Sequence, residues 1–193
     1  MILNNIPVYD GNLIHARFAY RYFRDRTLPI GNIVAFRSPM HVEAAGMIDL
    51  EDVISNDFIY SDDAVNFCWE IPNIDSFGAV SFQRLFNTQI ANILTSIINK
   101  PIEVDGDDLI VHAEHTQHGI VQPKGKASVS ITHLVNGAAL GHTAVNVVAG
   151  KKAPAFAFST NMTHEQVNEF MKRVVETFYK MTDDIFIATT KVI

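Results

Sequence analysis

The spacing of apolar and polar positions divides this chain into predicted helices and strands. After Asp10-Gly11, the residues Ile14, Phe18 and Tyr22 recur at helical spacing with Arg17, Arg21 and Arg24 on another side, which predicts a short amphipathic helix. Asn32 to Phe36 is apolar and bounded by Pro29-Ile30-Gly31 and Ser38-Pro39, so a buried strand is expected there, with Arg37 at its end. Val65, Phe67, Trp69 and Ile71 alternate with Asn66, Cys68 and Glu70, the period of a half-buried strand carrying Glu70 on the face opposite the Trp. From Val80 to Ile98 the period changes to that of a helix. Phe82, Leu85, Phe86, Ile90, Ile93, Leu94, Ile97 and Ile98 form one wide stripe, Gln83 and Arg84 sit near its start, and Lys100-Pro101 ends it.

Strands are predicted at Ile102-Val104 and Leu109-Val111 around the turn-prone Asp105-Gly106-Asp107-Asp108. Ala127 to Val135 and Ala138 to Val148 flank Asn136-Gly137, a strong hairpin signal because a type I′ turn needs positive φ at both central residues. Thr163-His164-Glu165-Gln166 has the capping-box pattern and opens a helix with Val167, Phe170, Met171, Val174, Val175 and Phe178 on one stripe. This order predicts an α+β fold, a mixed and largely antiparallel sheet with helices packed on it. No repeat, linker or polarity shift marks a boundary, so residues 1–193 are expected to form one domain.

Composition narrows the function classes. Hydrophobic residues make up 48% and charged residues 19% of 193 positions, enough apolar surface to fold without a disulfide or metal. The single cysteine, Cys68, has no internal partner, and no apolar run approaches the ~20 residues that cross a bilayer. A cytoplasmic protein without a membrane partner is expected. A formal charge of -6, with no basic block longer than Lys151-Lys152, leaves duplex nucleic acid little to hold. A small heterocycle is not excluded, because a pocket reads a base with a few hydrogen bonds.

The candidate chemistry clusters after Gly125. Strand alternation puts Lys126, Ser128, Ser130 and Thr132 on one face, a polar row with a cation at its mouth that reads either as an anion seat or as the wet face of a strand. His142 and Asn146 share a strand face. A plain hairpin through Asn136-Gly137 places them beside Val129 and Ile131, away from the Ser row, whereas a bulge at Gly141 brings them round to it; a core histidine bonded to backbone is the bland alternative. His112, His115 and His118 with Glu114 contain zinc-ligand types, but the segment reads as a solvated loop, so no metal is assigned. Asp49-Leu50-Glu51-Asp52 and Asp62-Asp63 are expected to cap short helices. Arg37 and Glu70 are candidates to bind an anion and a planar polar ring.

Five ordered stretches resemble the hallmark blocks of domain-of-unknown-function family 366. They are Ala35-Phe36-Arg37-Ser38-Pro39, Met47 to Val53, Ile59-Tyr60-Ser61, Gln83-Arg84-Leu85 and Lys126 to Thr132, with a departure at the His-rich loop before Lys126. More broadly, helix Val80 to Ile98, the turn at Asp107-Asp108 and Lys126 are similar to the central run of biotin and lipoate protein ligases, where a Lys contacts the ligand carboxyl. Their Gly-rich adenylate loop has no counterpart here.

The family resemblance implies 7-deazaguanine metabolism, in particular a lyase that removes the carboxyl group of 7-carboxy-7-deazaguanine by protonating the ring carbon, without a cofactor. On this expectation Lys126, Asp108 and His142 are the catalytic candidates. Arg37, Glu70, Arg84, Ser128, Ser130 and Asn146 are the substrate-binding ones. The alternatives are ligase-like acyl transfer, which needs a nucleotide, and a non-catalytic module that holds a nucleobase-like metabolite, with a homodimer through a strand edge left open.

Overall fold

The computed structural model describes residues 1–4, 6–15, 17, 21 and 31–191. Phe18, Tyr22 and Arg24 of the first predicted helix lie outside them. The helix is seen as α1 (Asn12–His15).

Five strands form the main sheet, in the order β1 (Ile2–Leu3), β2 (Asn32–Val42), β3 (Ile59–Pro72), β10 (Ala138–Val148) and β9 (Ser128–Val135). Only the β1–β2 pair is parallel. Alternation decides what each face buries. Ile33, Ala35, Val65, Phe67, Trp69, Ala139 and Val145 pack against α3 (Ser76–Ile98) and α4 (His164–Thr190), while Val34, Phe36, Cys68 and Ala144 look the other way, onto the N-terminal segment and Met40 and Val42. The α+β expectation holds. No helix among the described residues is long and apolar enough to cross a membrane.

Several elements run past their predicted ends. β2 continues through Ser38-Pro39 to Val42, with a register shift between Ser38 and Met40. The proline is tolerated because it falls at the register shift in the pairing with β3, and because on its other side β2 makes only an isolated bridge here, Tyr9 to Met40, among the described residues. β3 starts at Ile59 and is buried on both faces from Ala64 to Ile71, so it is not half-buried. Asp62 and Asp63 therefore lie in a strand and cap no helix; Asp62 accepts from the Tyr60 hydroxyl (2.8 Å) and Asp63 pairs with Arg37. Asp49 does cap, accepting from the Glu51 N–H (2.8 Å) at the start of α2 (Leu50–Ser55). α3 begins at Ser76, capped by Asp75, and Thr163 and Gln166 make the predicted capping box of α4.

The hairpin through Asn136 (φ 48°) and Gly137 (φ 77°) has a plain register, pairing His142 with Ile131 and Thr143 with Ser130. No bulge occurs at Gly141. Instead Gly141 faces Trp69 across the ladder, and a Cβ there would enter the indole. A smaller sheet of β4 (Ile102–Asp105), β5 (Asp108–Val111) and β8 (Gly125–Lys126) lies beside β9. The segment read as a solvated loop contains a hairpin, β6 (His115–Gln117) and β7 (Ile120–Gln122), turning on His118 and Gly119, both at positive φ. Its three-residue legs are too short to show periodicity.

Candidate functional site

A cavity of about 460 Å³ opens where β8 leads into β9, on the sheet face turned away from α3 and α4. His142 and Asn146 of β10 form part of its floor with Val129 and Ile131. Tyr9, Ile14, Met40 and Val42 make an apolar wall. The lining also carries Lys126 with Asp107 and Asp108, and Asp49, Asp52 and Asp57 with Phe58 and Tyr60. Lys126 is thus the one Lys or Arg lining the cavity among the described residues, facing five aspartates.

Backbone pairing fixes Lys126. Its N–H donates to the Phe156 carbonyl (2.9 Å), its carbonyl accepts from the Phe158 N–H (2.8 Å), and its ammonium meets Asp108 Oδ1 at 2.7 Å. The Asp107-Asp108 turn is held from below by α3. Asn87, fully buried, donates to the Asp107 carbonyl (3.0 Å) and accepts from the Thr143 hydroxyl (3.0 Å); the Leu109 N–H donates to Ser128 Oγ (2.9 Å). Asp52 feels its burial first, then the charges of Asp49 and Asp57, and these hold its carboxyl above the usual carboxylate range while Lys126 pulls it back.

His142 is buried and stacks on Tyr9, with ring centroids 3.8 Å apart and 13° between planes. Its Nε2 lies 3.0 Å from Asn66 Oδ1. Burial pushes the imidazole pKa down to about 3, so this ring is neutral at physiological pH.

The structure brings together Lys126, Asp108, His142, Ser128, Ser130 and Asn146 at the cavity and leaves three predicted residues off its lining. Arg37 shares the helix-side face of β2 with Ile33 and Ala35, so alternation turns it away, into a bidentate pair with Asp63 (2.9 and 2.6 Å). Glu70 has the cavity-side parity but sits further along β3, opposite Asn32 and Leu140, and is paired with Arg17 (3.4 Å). Arg84 reaches the cavity only indirectly, through Asp107 (3.3 Å) and through Gln83 (2.9 Å), which donates to Ser130. The Ser row also departs from expectation. Because β9 is the sheet edge both its parities border the cavity, yet Ser128 Oγ is bonded to Leu109, and Ser130 Oγ accepts from Gln83 Nε2 (2.8 Å) and meets Thr143 Oγ1 (2.9 Å).

The three histidines of the His-rich segment go separate ways: His112 to Glu103 (2.7 Å), His115 against the Phe158 ring, and His118 to the Ala153 carbonyl (2.6 Å). No group of three or more His, Cys, Asp or Glu among the described residues is arranged to hold a metal ion. Tyr9, Asp52 and Asn66 carry no sequence signal that marks them as site residues, whereas Asp107 lies in the turn that the ligase resemblance singles out. One further signal was the polar pair Gln83 and Asn87 inside the apolar stripe of α3, both buried.

Comparison with known proteins follows this architecture. A solved protein of unknown function from Pyrococcus horikoshi is similar over 100% of this chain and 96% of its own, with TM-score 0.82 and 24% identity. A biotin protein ligase from Aquifex aeolicus in complex with biotin and ATP is similar over 95% of this chain and 71% of its own (TM-score 0.52, 12% identity). A bi-partite lipoate protein ligase from Thermoplasma acidophilum is similar over 90% and 80% (TM-score 0.53, 14% identity). These likenesses give the fold, that of the biotin and lipoate protein ligases. Among curated protein sequences none matches the chain. The model of the domain of unknown function DUF366 matches residues 1–193, and the chain belongs to that family.

Proposed function

We propose that the cavity binds a small heteroaromatic carboxylate and removes its carboxyl group, with 7-carboxy-7-deazaguanine as substrate and 7-deazaguanine as product. The supporting observation is the charge pattern of the lining, one ammonium among five carboxylates in the described residues. Lys126 seats the substrate carboxylate in place of Asp108, and the aspartates accept from the N–H groups of the guanine-like edge, for which a carboxylate is the natural bidentate partner.

The step is a protonation followed by loss of carbon dioxide. Asp52, held protonated more readily than an ordinary carboxylate, donates to the enamine-like ring carbon that bears the carboxyl group. The bond to the carboxyl carbon then breaks and its electron pair restores the aromatic ring; water returns a proton to Asp52. Asp52 suits this role better than His142, Asp108 or Lys126. His142 carries no proton to give as a cation near neutrality, and Asp108 and Lys126 are paired with each other. A carboxylate crowded by other carboxylates is relieved when it leaves as a neutral gas.

The ligase-like fold favours a second reading, in which Lys126 holds a carboxyl group for activation by a nucleotide. Five aspartates around the cavity disfavour a triphosphate electrostatically. Purified protein, stripped of metals by chelation, is expected to convert 7-carboxy-7-deazaguanine to 7-deazaguanine and carbon dioxide without ATP. A requirement for ATP supports the ligase reading, binding without turnover supports a metabolite-binding module, and neither binding nor conversion ends the proposal.

A further inference from the structure

The floor of the cavity contains a histidine whose tautomer is dictated by its surroundings. Asn66 Nδ2 lies 3.4 Å from the Ala64 carbonyl and 3.3 Å from Ser38 Oγ. A backbone carbonyl can only accept, so the amide nitrogen belongs on that side and the amide oxygen faces His142. That oxygen also can only accept, so His142 Nε2 must carry the hydrogen of its 3.0 Å contact. A neutral imidazole has one such hydrogen. Nδ1 is therefore left as a bare acceptor.

The ring is also fixed in place. Tyr9 stacks on it, and Tyr9 is pinned by its own backbone, donating to the Pro39 carbonyl (2.9 Å) and accepting from the His41 N–H (2.9 Å). β10 pairs with β3 and β9 on its two sides around His142, so its backbone is engaged in the sheet, and the side chain is what borders the cavity. With Nε2 committed to Asn66, Nδ1 is the nitrogen free to meet a ligand. It is a neutral acceptor on the cavity floor, on the same strand face as Asn146, which lies further along β10.

We propose that His142, held by Asn66 as its Nε2–H tautomer and clamped by Tyr9, is the acceptor that reads the ring N–H of the substrate's five-membered ring, so that the cavity selects N–H heteroaromatics over their oxygen isosteres. The inference rests on the reading of the cavity as the site for a heteroaromatic carboxylate. It adds a specificity-determining residue with a chemical consequence: protonation of the ring carbon spreads positive charge onto that ring nitrogen, and a neutral acceptor on its hydrogen stabilises this charge. A second carboxylate at the same point would serve any cation. An imidazole nitrogen that stays unprotonated discriminates by hydrogen-bond direction alone.

Two measurements test it. Long-range ¹H–¹⁵N spectra of the unliganded, ¹⁵N-labelled protein at neutral pH are expected to show His142 as Nε2–H with Nδ1 unprotonated; an Nδ1–H or doubly protonated ring overturns the inference whatever the ligand is. Binding of 7-carboxy-7-deazaguanine is then compared with binding of the isostere in which oxygen replaces that N–H, which leaves size unchanged. The wild type is expected to prefer the N–H compound by about 10-fold or more, since the isostere would set two acceptors against each other. His142→Phe, which keeps a ring against Tyr9, is expected to bring the ratio close to one. Equal binding of the two compounds by the wild type, or an unchanged ratio in His142→Phe, overturns this inference and leaves the decarboxylation reading standing. Failure of both compounds to bind overturns both.

Discussion

Lys126 and Asp108 each keep about a third of their side chains exposed (31% for both), so their ion pair is partly screened by water. An exposed pair of this kind contributes about 1 kcal/mol or less to stability. Lys126→Ala is accordingly expected to leave the melting temperature nearly unchanged while lowering turnover of the carboxylated base by about 100-fold or more, through loss of the one cation among the described lining residues. A large fall in melting temperature instead would assign Lys126 a structural role.

Asp52 gives the opposite coupling of stability to activity. Its folded carboxyl binds a proton more tightly than in the unfolded chain, where the value is near 3.8, because burial and the neighbouring aspartates oppose its ionisation. The resulting penalty is absent in strong acid, develops as pH rises through the raised folded value and is fully present at neutrality. Asp52→Asn is therefore expected to raise the melting temperature at neutral pH, with a gain that disappears towards acid, and to cut kcat by about 10²–10⁴-fold if Asp52 is the acid. Thermal unfolding across pH and steady-state kinetics read the two effects separately. In the wild type, kcat is expected to fall as pH rises and Asp52 loses its proton.

At the scale of elements, α3 acts as a bracket for the site. Asn87 joins the Asp107-Asp108 turn to Thr143 of β10, and its truncation leaves buried partners unmatched. Asn87→Ala is expected to cost about 1–3 kcal/mol in urea unfolding and to weaken substrate binding by letting the turn move. β10 is fixed in register by Gly141 under Trp69. Gly141→Ala is expected to destabilise by about 1–3 kcal/mol or more, because the indole is fully packed and a methyl has nowhere to go; an unaffected midpoint would contradict this packing.

These elements also show what was readable from the chain. Asn136-Gly137 specified its turn because only a few residue types accept two successive positive φ angles, but the register beyond it stayed open between a plain hairpin and a bulge at Gly141, and the structure has the plain one, with His142 beside Ile131. The apolar stripe of α3 and the capping box of α4 were equally plain, since both are local patterns. Position in three dimensions was not local. Arg37 and Glu70 carried suitable chemistry, yet one lies on the other face of the sheet and the other further along its strand, facts that depend on which strands become neighbours. The Asp52 cluster was read as capping, and Asp49 does cap; that α2 also edges a cavity follows only from how it packs.

Across the whole molecule, the ligase-like sheet and helices leave one face of the sheet open to a cavity whose charge differs from what a nucleotide-binding site would favour. Fold alone does not choose between activating a carboxyl group and removing it. The chemistry follows from whether Lys126 meets the carboxylate while the heterocycle lies over His142. Crystals of the Asp52→Asn variant soaked with 7-carboxy-7-deazaguanine address this directly. The account predicts the carboxylate within hydrogen-bonding distance of Lys126 Nζ and the five-membered ring facing His142 Nδ1; a heterocycle bound elsewhere on the protein, with this cavity holding only solvent, would contradict it.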